Sequence, residues 1–435
     1  MIAGGSAGPY VVGMKITSVL IALTACKGAS AAETPDKVAR DMILKLAAHD
    51  SDGARTRFDD KMLSVEPAAK LQKFWDGIVA EGGAFDRIET TNTRIANMHQ
   101  VVDATIHFEH GSMTLEVAID ATNHIAGLHT IEGFPAAYDN AAAYDEVPVK
   151  VGTLPGTLSR PHGAGPFPAV VLVHGSGPGD ADETIGAIKP FKDLAHGLAS
   201  RGVAVLRYEK RTHASPVGVV TQHDEFDVAA HQAVALLGDT PGIDPKRIVL
   251  LGHSQGGFLA PRMAKDDPAI RALVILAGET RTMQDSLLAQ VKYFASVEPN
   301  DPKAAADVAA AEKFKQQLDD PNLKPDDRVS FPGGGAMTGA YFLDTAGYHP
   351  EQVAATLSIP IAVLQGGRDY QVTIKDDFPA WQAALPKATF FTYPADSHPF
   401  VSGTGTPSPK DYAVVAHVDP KVIDDLATWI LALPK

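Results

Sequence analysis

A serine between two glycines, at the end of an apolar segment, constrains the fold of this chain more than any other feature. Strand-forming residues 248–251 lead into Gly252-His253-Ser254-Gln255-Gly256, and a helix-permissive segment follows. This order predicts a strand, a tight turn that strains the serine backbone, and a helix. Glycine is expected at positions 252 and 256, because a side chain on Gly252 or Gly256 would collide with a neighbouring strand or helix. An ordinary glycine turn is the alternative that the pentapeptide alone leaves open.

From residue 147 onwards, strand-like segments alternate with helix-like segments. The strand-like segments are Val147–Val151 and Thr153–Leu158, which form a predicted hairpin, then Ala169–His174, Val203–Tyr208, Ile248–Leu251, Arg271–Ala277, Ile361–Gln365 and Thr389–Tyr393. The predicted helices are Leu194–Ser200, Asp227–Leu237 and Pro420–Leu433. Nearly continuous apolar strands are typical of a mainly parallel sheet with helices on both faces. We therefore expect an α/β domain over 147–435, with binding groups at the carboxyl ends of its strands.

Residues 279–355 interrupt this alternation. The segment is long, charged and helix-rich, with a Pro-Gly-Gly-Gly sequence near its middle. Its place in the order favours a helical cap or lid over the site. A helical insertion without such a role is the alternative.

A chain of 435 residues is long enough for two domains, and residues 33–140 form the first candidate. Apolar residues recur at helical spacing over 36–49 and 55–80, and three strand-like runs follow. Helices followed by antiparallel strands predict a small α+β domain. Residues 135–146 have little pattern and are interpreted as a linker.

The strand series places an acid and a base after Ser254 in the order that nucleophilic catalysis on such a sheet requires. Asp369 follows the segment Ile361–Gln365 in a glycine-rich turn, and His398 follows the final strand. His398 would take the proton from Ser254, and Asp369 would fix the histidine tautomer and stabilise the imidazolium. The sequence therefore predicts a Ser254–Asp369–His398 triad.

Other charged residues have competing interpretations. Asp396 is a rival acid, but it is badly placed to reach the far ring nitrogen of a histidine two positions away. Asp376 and Asp377 are predicted to begin a helix, where carboxylates favour the dipole. Three basic residues could bind a substrate carboxylate, although pairing with Asp182 or Glu183 is favoured: Arg207, Lys210 and Arg211.

An acyl-transfer site also needs N–H donors for the developing oxyanion. Gln255 would supply one from the start of the helix after Ser254. The second is predicted from Ser176, with Gly177 as the adjacent candidate, in the loop His174-Gly175-Ser176-Gly177. A simple glycine-rich loop remains an alternative. A phosphate-binding loop would need a lysine and a Ser/Thr to close it, and the segment lacks them.

The formal net charge of −14 argues against a nucleic-acid partner, because phosphate binding requires a basic face. His107 and His110 would point to opposite faces of a strand, which favours a solvated edge over a metal site. We expect neither a metal nor an organic cofactor.

The single cysteine lies at the end of a short apolar run. Lys15 precedes residues 16–25, which suit a signal-peptide core and are too few to span a bilayer. Leu-Thr-Ala-Cys at 23–26 resembles the bacterial lipobox, so Cys26 is a predicted lipidation site and 1–32 a leader and tether. The protein would then be exported, periplasmic or membrane-anchored. Cleavage near 29–31, or an apolar helix in a cytoplasmic protein, are the alternatives.

Four segments together resemble bacterial two-domain α/β-hydrolase carboxylesterases: His174–Pro178, Asp182–Gly186, Lys189–Ala195 and Ala204–Thr212. Residues 33–140 resemble the NTF2-like domain of unknown function (DUF3887-like) that precedes hydrolases in some bacterial secreted esterases. The resemblance implies an α/β-hydrolase fold and hydrolysis of short-chain carboxylic esters, with the triad on Ser254, Asp369 and His398. It also touches a serine aminopeptidase-like branch, so a peptidase with the same triad is the first alternative. A non-catalytic, ligand-binding surface lipoprotein is the second alternative. A homo-oligomer is compatible with all three functions.

Overall fold

The structure is a computed structural model that describes residues 33–96, 99–215 and 217–434. The leader expected over 1–32 and the lipidation site at Cys26 lie outside the described residues and stay predictions. Within those three ranges, no helix is both long enough and apolar enough to cross a membrane.

The first region packs four helices against a four-stranded antiparallel sheet. The helices are α1 (Pro35–Ala47), α2 (Ser51–Ala54), α3 (Asp60–Val65) and α4 (Ala68–Gly82). The strands pair in chain order: β1 (Phe85–Ala96), β2 (His99–Phe108), β3 (Gly111–Ile119) and β4 (Ile125–Glu132). Trp75 and Phe108, whose ring centroids are 5.7 Å apart, lie in the core between the two layers.

Two local expectations for this region were wrong. The single helix predicted over 55–80 is interrupted, because Pro67 disfavours helical backbone at Glu66 and lacks the N–H that would continue α3. The sheet has four strands where three runs were predicted. Most side chains of β1 are exposed, so that strand carries little hydrophobic pattern.

The second region is a mixed, mostly parallel sheet with helices on both faces. Its eight strands are β5 (Tyr144–Val151), β6 (Leu154–Pro161), β7 (Phe167–Val173), β8 (Ala204–Tyr208), β9 (Ile243–His253), β10 (Ala272–Leu276), β13 (Ile361–Gly366) and β14 (Thr389–Tyr393), with β11 (Arg328–Ser330) and β12 (Ala336–Thr338) forming a separate ribbon. The order across the sheet is β14-β13-β10-β9-β7-β8-β6-β5. All neighbours are parallel except β6 with β8 and β5 with β6.

Burial on both faces explains the continuous apolar strands. Val171 and Val173 of β7 belong to one hydrophobic cluster, and Val170 and Leu172 belong to the other. The helices that cover this sheet and form the cap are α5 (Pro190–Ala199), α6 (Arg211–Ala214), α7 (Val228–Gly238), α8 (Gln255–Asp266), α9 (Met283–Val297), α10 (Ala304–Leu318), α11 (Gly339–Leu343), α12 (Pro350–Ala355), α13 (Phe378–Ala384) and α14 (Pro420–Leu431).

The residues between β10 and β13 form the helix-rich insertion that the sequence predicted. Helices α9 to α11 and the ribbon β11–β12 contribute to a separate apolar cluster, with Phe314, Val329 and Phe342 buried. Helix α12 instead contributes Ala354 to a cluster of the sheet domain. Hydrogen bonds attach this cap to the sheet domain: Gln222 Nε2 donates to Tyr341 O at 3.2 Å and to Thr345 Oγ1 at 2.9 Å.

The junction between the two regions is more ordered than the linker predicted over 135–146. Strand β5 begins at Tyr144 rather than Val147, because Tyr144 pairs with Pro161 and its hydroxyl donates to Asp139 at 2.8 Å. His417 of the second region contacts the first region, with Nε2 2.8 Å from Phe134 O.

Candidate active site

Ser254 occupies the strained turn that the sequence predicted. Its backbone angles are φ 53° and ψ −119°, in a region that non-glycine residues rarely adopt. The Ser254 N–H donates to Leu276 O of the adjacent strand at 2.9 Å, which holds the turn in place. A Cβ on Gly252 would collide with the backbone of Gly256, and one on Gly256 would collide with the Val173 carbonyl. Both glycines are therefore required for the approach of α8 to the sheet.

Asp369 and His398 meet at the carboxyl ends of β13 and β14. His398 Nδ1 lies 2.7 Å from Asp369 Oδ2, and both side chains are buried. The other oxygen, Oδ1, accepts the backbone N–H groups of Gln371 at 2.8 Å and Val372 at 3.0 Å. These donors fix the carboxylate plane, so Asp369 can orient the imidazole ring.

His253, the residue before Ser254, places the His398 loop beside the turn. Its Nε2 lies 3.2 Å from the His398 carbonyl oxygen, and the two ring centroids are 4.7 Å apart. From the sequence, His253 could either pack or contact an acyl pocket. In the structure it is buried and packs against the His398 ring, and it links the two loops that carry Ser254 and His398.

The rival acid Asp396 is not directed at His398. Its Oδ1 accepts the Ser402 hydroxyl at 2.6 Å, and burial raises the pKa of this carboxyl to about 6. Asp377 precedes α13, as predicted, but its carboxylate makes no cap hydrogen bond and binds Arg281 Nη2 at 2.6 Å. The structure therefore pairs only Asp369 with His398.

The loop after β7 lies against the nucleophile turn. A Cβ built on Gly175 would be 3.0 Å from Ser254 Cβ, so this backbone passes directly over the serine. The Gly175 N–H is already used, since it donates to Glu183 Oε1. Ser176 and Gly177 are exposed, and none of the hydrogen bonds between described residues uses their N–H groups. Gln255 begins α8, where backbone N–H groups lack intrahelical partners.

Lys210 binds the carbonyl groups of the loop after β7. Its Nζ donates to Gly175 O and to Gly177 O, each at 2.8 Å, and lies 3.0 Å from Glu225 Oε1. The sequence favoured pairing with Asp182 or Glu183; for Lys210 this was wrong, because Glu225 arrives from the turn before α7. Arg207 does pair with Asp182, at 2.9 Å.

A second buried ion pair lies behind Ser254. His253 Nδ1 is 2.9 Å from Glu183 Oε2, and both side chains are nearly inaccessible to solvent. Burial opposes protonation of His253, but the Glu183 carboxylate outweighs it and raises the pKa of that imidazole. Because Glu183 also accepts the Gly175 N–H, this one carboxylate ties the loop after β7 to the nucleophile turn.

The cap reaches the same network. Tyr341 of α11 donates its hydroxyl to Glu225 Oε2 at 2.6 Å, and Gln255 Nε2 donates to Gln222 Oε1 at 2.9 Å. Gln222 in turn bonds the cap, as described above. Gln255 therefore offers its backbone N–H beside Ser254 while its side chain takes part in the cap contacts.

Sequence reasoning missed three buried polar residues that support the site, Glu225, Gln222 and Tyr341, and it missed Gln365, whose Nε2 donates to Asp369 Oδ2 at 3.3 Å. It named Glu183 only as a partner for basic residues and not for His253. They lie on separate elements and follow no spacing rule, so only the fold shows that they converge. Glu183 carries one local signal, a positive φ of 51° in a residue other than glycine. That signal is visible in coordinates and not in the sequence.

Replacing Lys210 alone, and then Lys210 together with Glu225, tests whether the lysine positions the loop after β7. Lys210→Met alone should destabilise the protein by about 3–5 kcal/mol, because it leaves Glu225 buried without its partner. Adding Glu225→Gln should recover much of that stability but not the activity, since Gly175 O and Gly177 O still lack their donor. We expect kcat of the double variant to stay about tenfold or more below wild type. This fall would approach the one that follows removal of an N–H donor to the oxyanion. Melting curves and ester kinetics on the three proteins measure both effects; full activity in the double variant would contradict the role.

No group of three or more His, Cys, Asp or Glu side chains in the described ranges is arranged to hold a metal ion. His107 Nδ1 faces Asp86 at 3.2 Å, and His110 Nδ1 lies 3.0 Å from Glu81 O. The two histidines therefore have separate local partners.

Family models match both regions of the chain, and proteins of known sequence or structure are similar to it. The model of the "Alpha/beta hydrolase family" matches residues 170–418, and that of a "Protein of unknown function (DUF3887)" matches 39–128. The chain is 34% identical over 379 residues to Esterase EstD of Thermotoga maritima, covering 85% of this chain and 88% of that protein. It is 30% identical over 141 residues to the mitochondrial acyl-coenzyme A thioesterase 2 of Homo sapiens, covering 32% of this chain and 26% of that one. A solved structure of Est1E from Butyrivibrio proteoclasticus with bound ferulic acid aligns with a TM-score of 0.45 at 15% identity, covering 66% of this chain and 100% of that chain.

Proposed function

The chain belongs to the α/β-hydrolase family and is a carboxylic ester hydrolase, and we propose that it hydrolyses short-chain esters through an acyl-serine intermediate. The observation that carries the proposal is the buried His398–Asp369 pair, 2.7 Å apart, beside the strained turn of Ser254. Three different strands supply the three residues at the same edge of the sheet, which is where such a site is expected.

In the first half of the reaction, Ser254 Oγ attacks the ester carbonyl carbon while His398 Nε2 takes the hydroxyl proton. The carbonyl oxygen becomes an oxyanion, which the N–H of Gln255 and that of Ser176 or Gly177 stabilise. As the tetrahedral intermediate collapses, His398 gives its proton to the departing alcohol. His398 Nδ1 keeps its proton throughout and donates a hydrogen bond to the Asp369 carboxylate, which stabilises the imidazolium.

In the second half, water replaces the alcohol. His398 removes a proton from the water as its oxygen attacks the acyl carbon, and the same N–H groups bind the new oxyanion. Collapse returns the proton to Ser254 Oγ and releases the carboxylic acid. Every proton that moves in either half passes through His398 Nε2, so no metal or organic cofactor is needed.

A series of nitrophenyl esters of increasing acyl length tests the substrate class. We expect kcat/KM to peak at short chains, because the cavity beside Gln255 is about 180 Å³, below the ~300–1,000 Å³ of typical ligand pockets. Turnover that rises steadily with chain length would contradict this preference. Faster cleavage of aminoacyl anilides than of any ester would favour the peptidase alternative.

A further inference from the structure

One cavity lies between the first turns of α8 and the cap. Its walls come from the residue after Ser254, from the loop after β10 and from cap helices: Gln222, Gln255, Phe258, Glu279, Thr282, Met283, Gln284, Leu318, Leu323, Phe342, Leu343, Thr345, Ala346 and Gly347. Most of these side chains are apolar or uncharged. Gln255, the residue after Ser254, forms part of the wall, so the cavity lies beside the nucleophile turn.

Glu279 is the single charged residue among those walls, and the catalytic steps above do not use it. Its side chain is 9% exposed, and no basic residue lines the cavity with it. Burial raises the pKa of Glu279 to about 7, and the Asp377 charge adds to the rise, while the Ser286 hydroxyl and the Arg281 charge lower it. A buried carboxyl without an ion-pair partner of its own is costly, and it is uncommon without a functional reason.

The charged side chains that act on Glu279 already have partners of their own. Arg281 Nη2 binds Asp377 Oδ2 at 2.6 Å, and Arg281 Nε lies 3.1 Å from Asp377 Oδ1. Asp369 is paired with His398. The guanidinium is thus committed to Asp377, and Glu279 is left as an acidic group facing a small, mostly apolar space.

We propose that this cavity binds an ammonium group on the acyl part of the substrate and that the Glu279 carboxylate is its counter-ion. The inference rests on the proposed function and narrows its substrate class to amino-acyl esters. The methylenes of such an acyl group would pack on Met283, Leu318 and Leu323, and the ammonium would donate to Glu279 and to neighbouring amide oxygens. An incoming cation supplies the partner that the fold itself does not provide, so binding relieves the cost of the buried carboxyl.

Paired substrates that differ only in the ammonium group test the proposal. Ethyl esters of glycine, β-alanine and longer ω-amino acids are each compared with the ester that has a methyl group in place of the ammonium. Released ethanol is measured, and spontaneous hydrolysis is subtracted. In wild type, at least one ammonium ester should have a higher kcat/KM than its methyl partner. Glu279→Gln should lower that ratio about tenfold or more, the lower end of coupling energies for close charge pairs.

The control variant is Glu312→Gln, which removes an exposed carboxylate of the cap that pairs with Lys292 at 3.2 Å. It should leave the ratio unchanged. A circular-dichroism spectrum and a melting curve like those of wild type would show that Glu279→Gln is folded. An equal ratio in wild type and Glu279→Gln would overturn the inference while leaving the esterase proposal intact. Absence of turnover on every ester by wild type would overturn both.

Discussion

Replacing Ser254 with alanine is expected to lower kcat for ester hydrolysis by a factor on the order of 10⁶, the scale on which loss of a catalytic serine acts. The methyl group cannot attack the ester carbonyl, so no acyl-enzyme forms. The remaining rate would come from binding and from the N–H groups beside the turn. Initial rates on a nitrophenyl ester, measured with enough enzyme to exceed the spontaneous rate, give the factor.

The same variant should keep its stability. Alanine at φ 53° carries the same backbone strain as serine, and Ser254 N–H still donates to Leu276 O. We expect the melting temperature to change by less than a few degrees. Ser330→Ala, at an exposed position of the cap ribbon, is the matched control and should keep full activity. Wild-type turnover in Ser254→Ala would show that another residue is the nucleophile.

Replacing Asp369 with asparagine should lower kcat about 10⁴-fold, because a neutral partner leaves His398 in the wrong tautomer. The asparagine oxygen can still accept the N–H groups of Gln371 and Val372, which occupy the Oδ1 side. Its NH₂ group would then face His398 Nδ1 and donate to it. The proton of the imidazole would move to Nε2, the atom that must accept the proton of Ser254.

Asp396→Asn separates this effect from a general loss of buried charge. Asp396 is also buried and close in sequence to His398, but its Oδ1 accepts from Ser402. We expect its kcat to fall far less than that of Asp369→Asn, because the Asp396 carboxylate contacts Ser402 and not His398. Larger loss of activity in Asp396→Asn than in Asp369→Asn would reverse the assignment of the acid.

The parallel sheet could be predicted from the sequence because its strands are buried on both faces. Runs such as Ala169–His174 and Ile248–Leu251 are continuous and apolar, and each is bounded by turn residues. The family resemblance rested on similarly local segments. The polar strand β1 and the helix break at Pro67 were harder to predict, because exposed residues and short helices leave only a weak hydrophobic periodicity in the sequence.

The positions of the candidate triad could be predicted because chain order fixes them at the carboxyl ends of the strands, whereas the positions of the supporting residues could not. Ser254, Asp369 and His398 each follow a recognisable strand. Glu183 and Glu225 instead act through contacts across the fold: one pairs with His253, and the other joins Lys210 to Tyr341. Such convergence depends on packing, which no local pattern in the sequence records.

Mass spectrometry of the enzyme quenched during turnover of nitrophenyl acetate would show whether Ser254 carries the acyl group. We expect an added acetyl group on the peptide that contains Ser254, absent from Ser254→Ala treated in the same way. The acetyl group should appear in the same time as an initial burst of nitrophenol. A label on a different residue, or steady turnover with no acetylated enzyme under any quench condition, would contradict the acyl-serine mechanism.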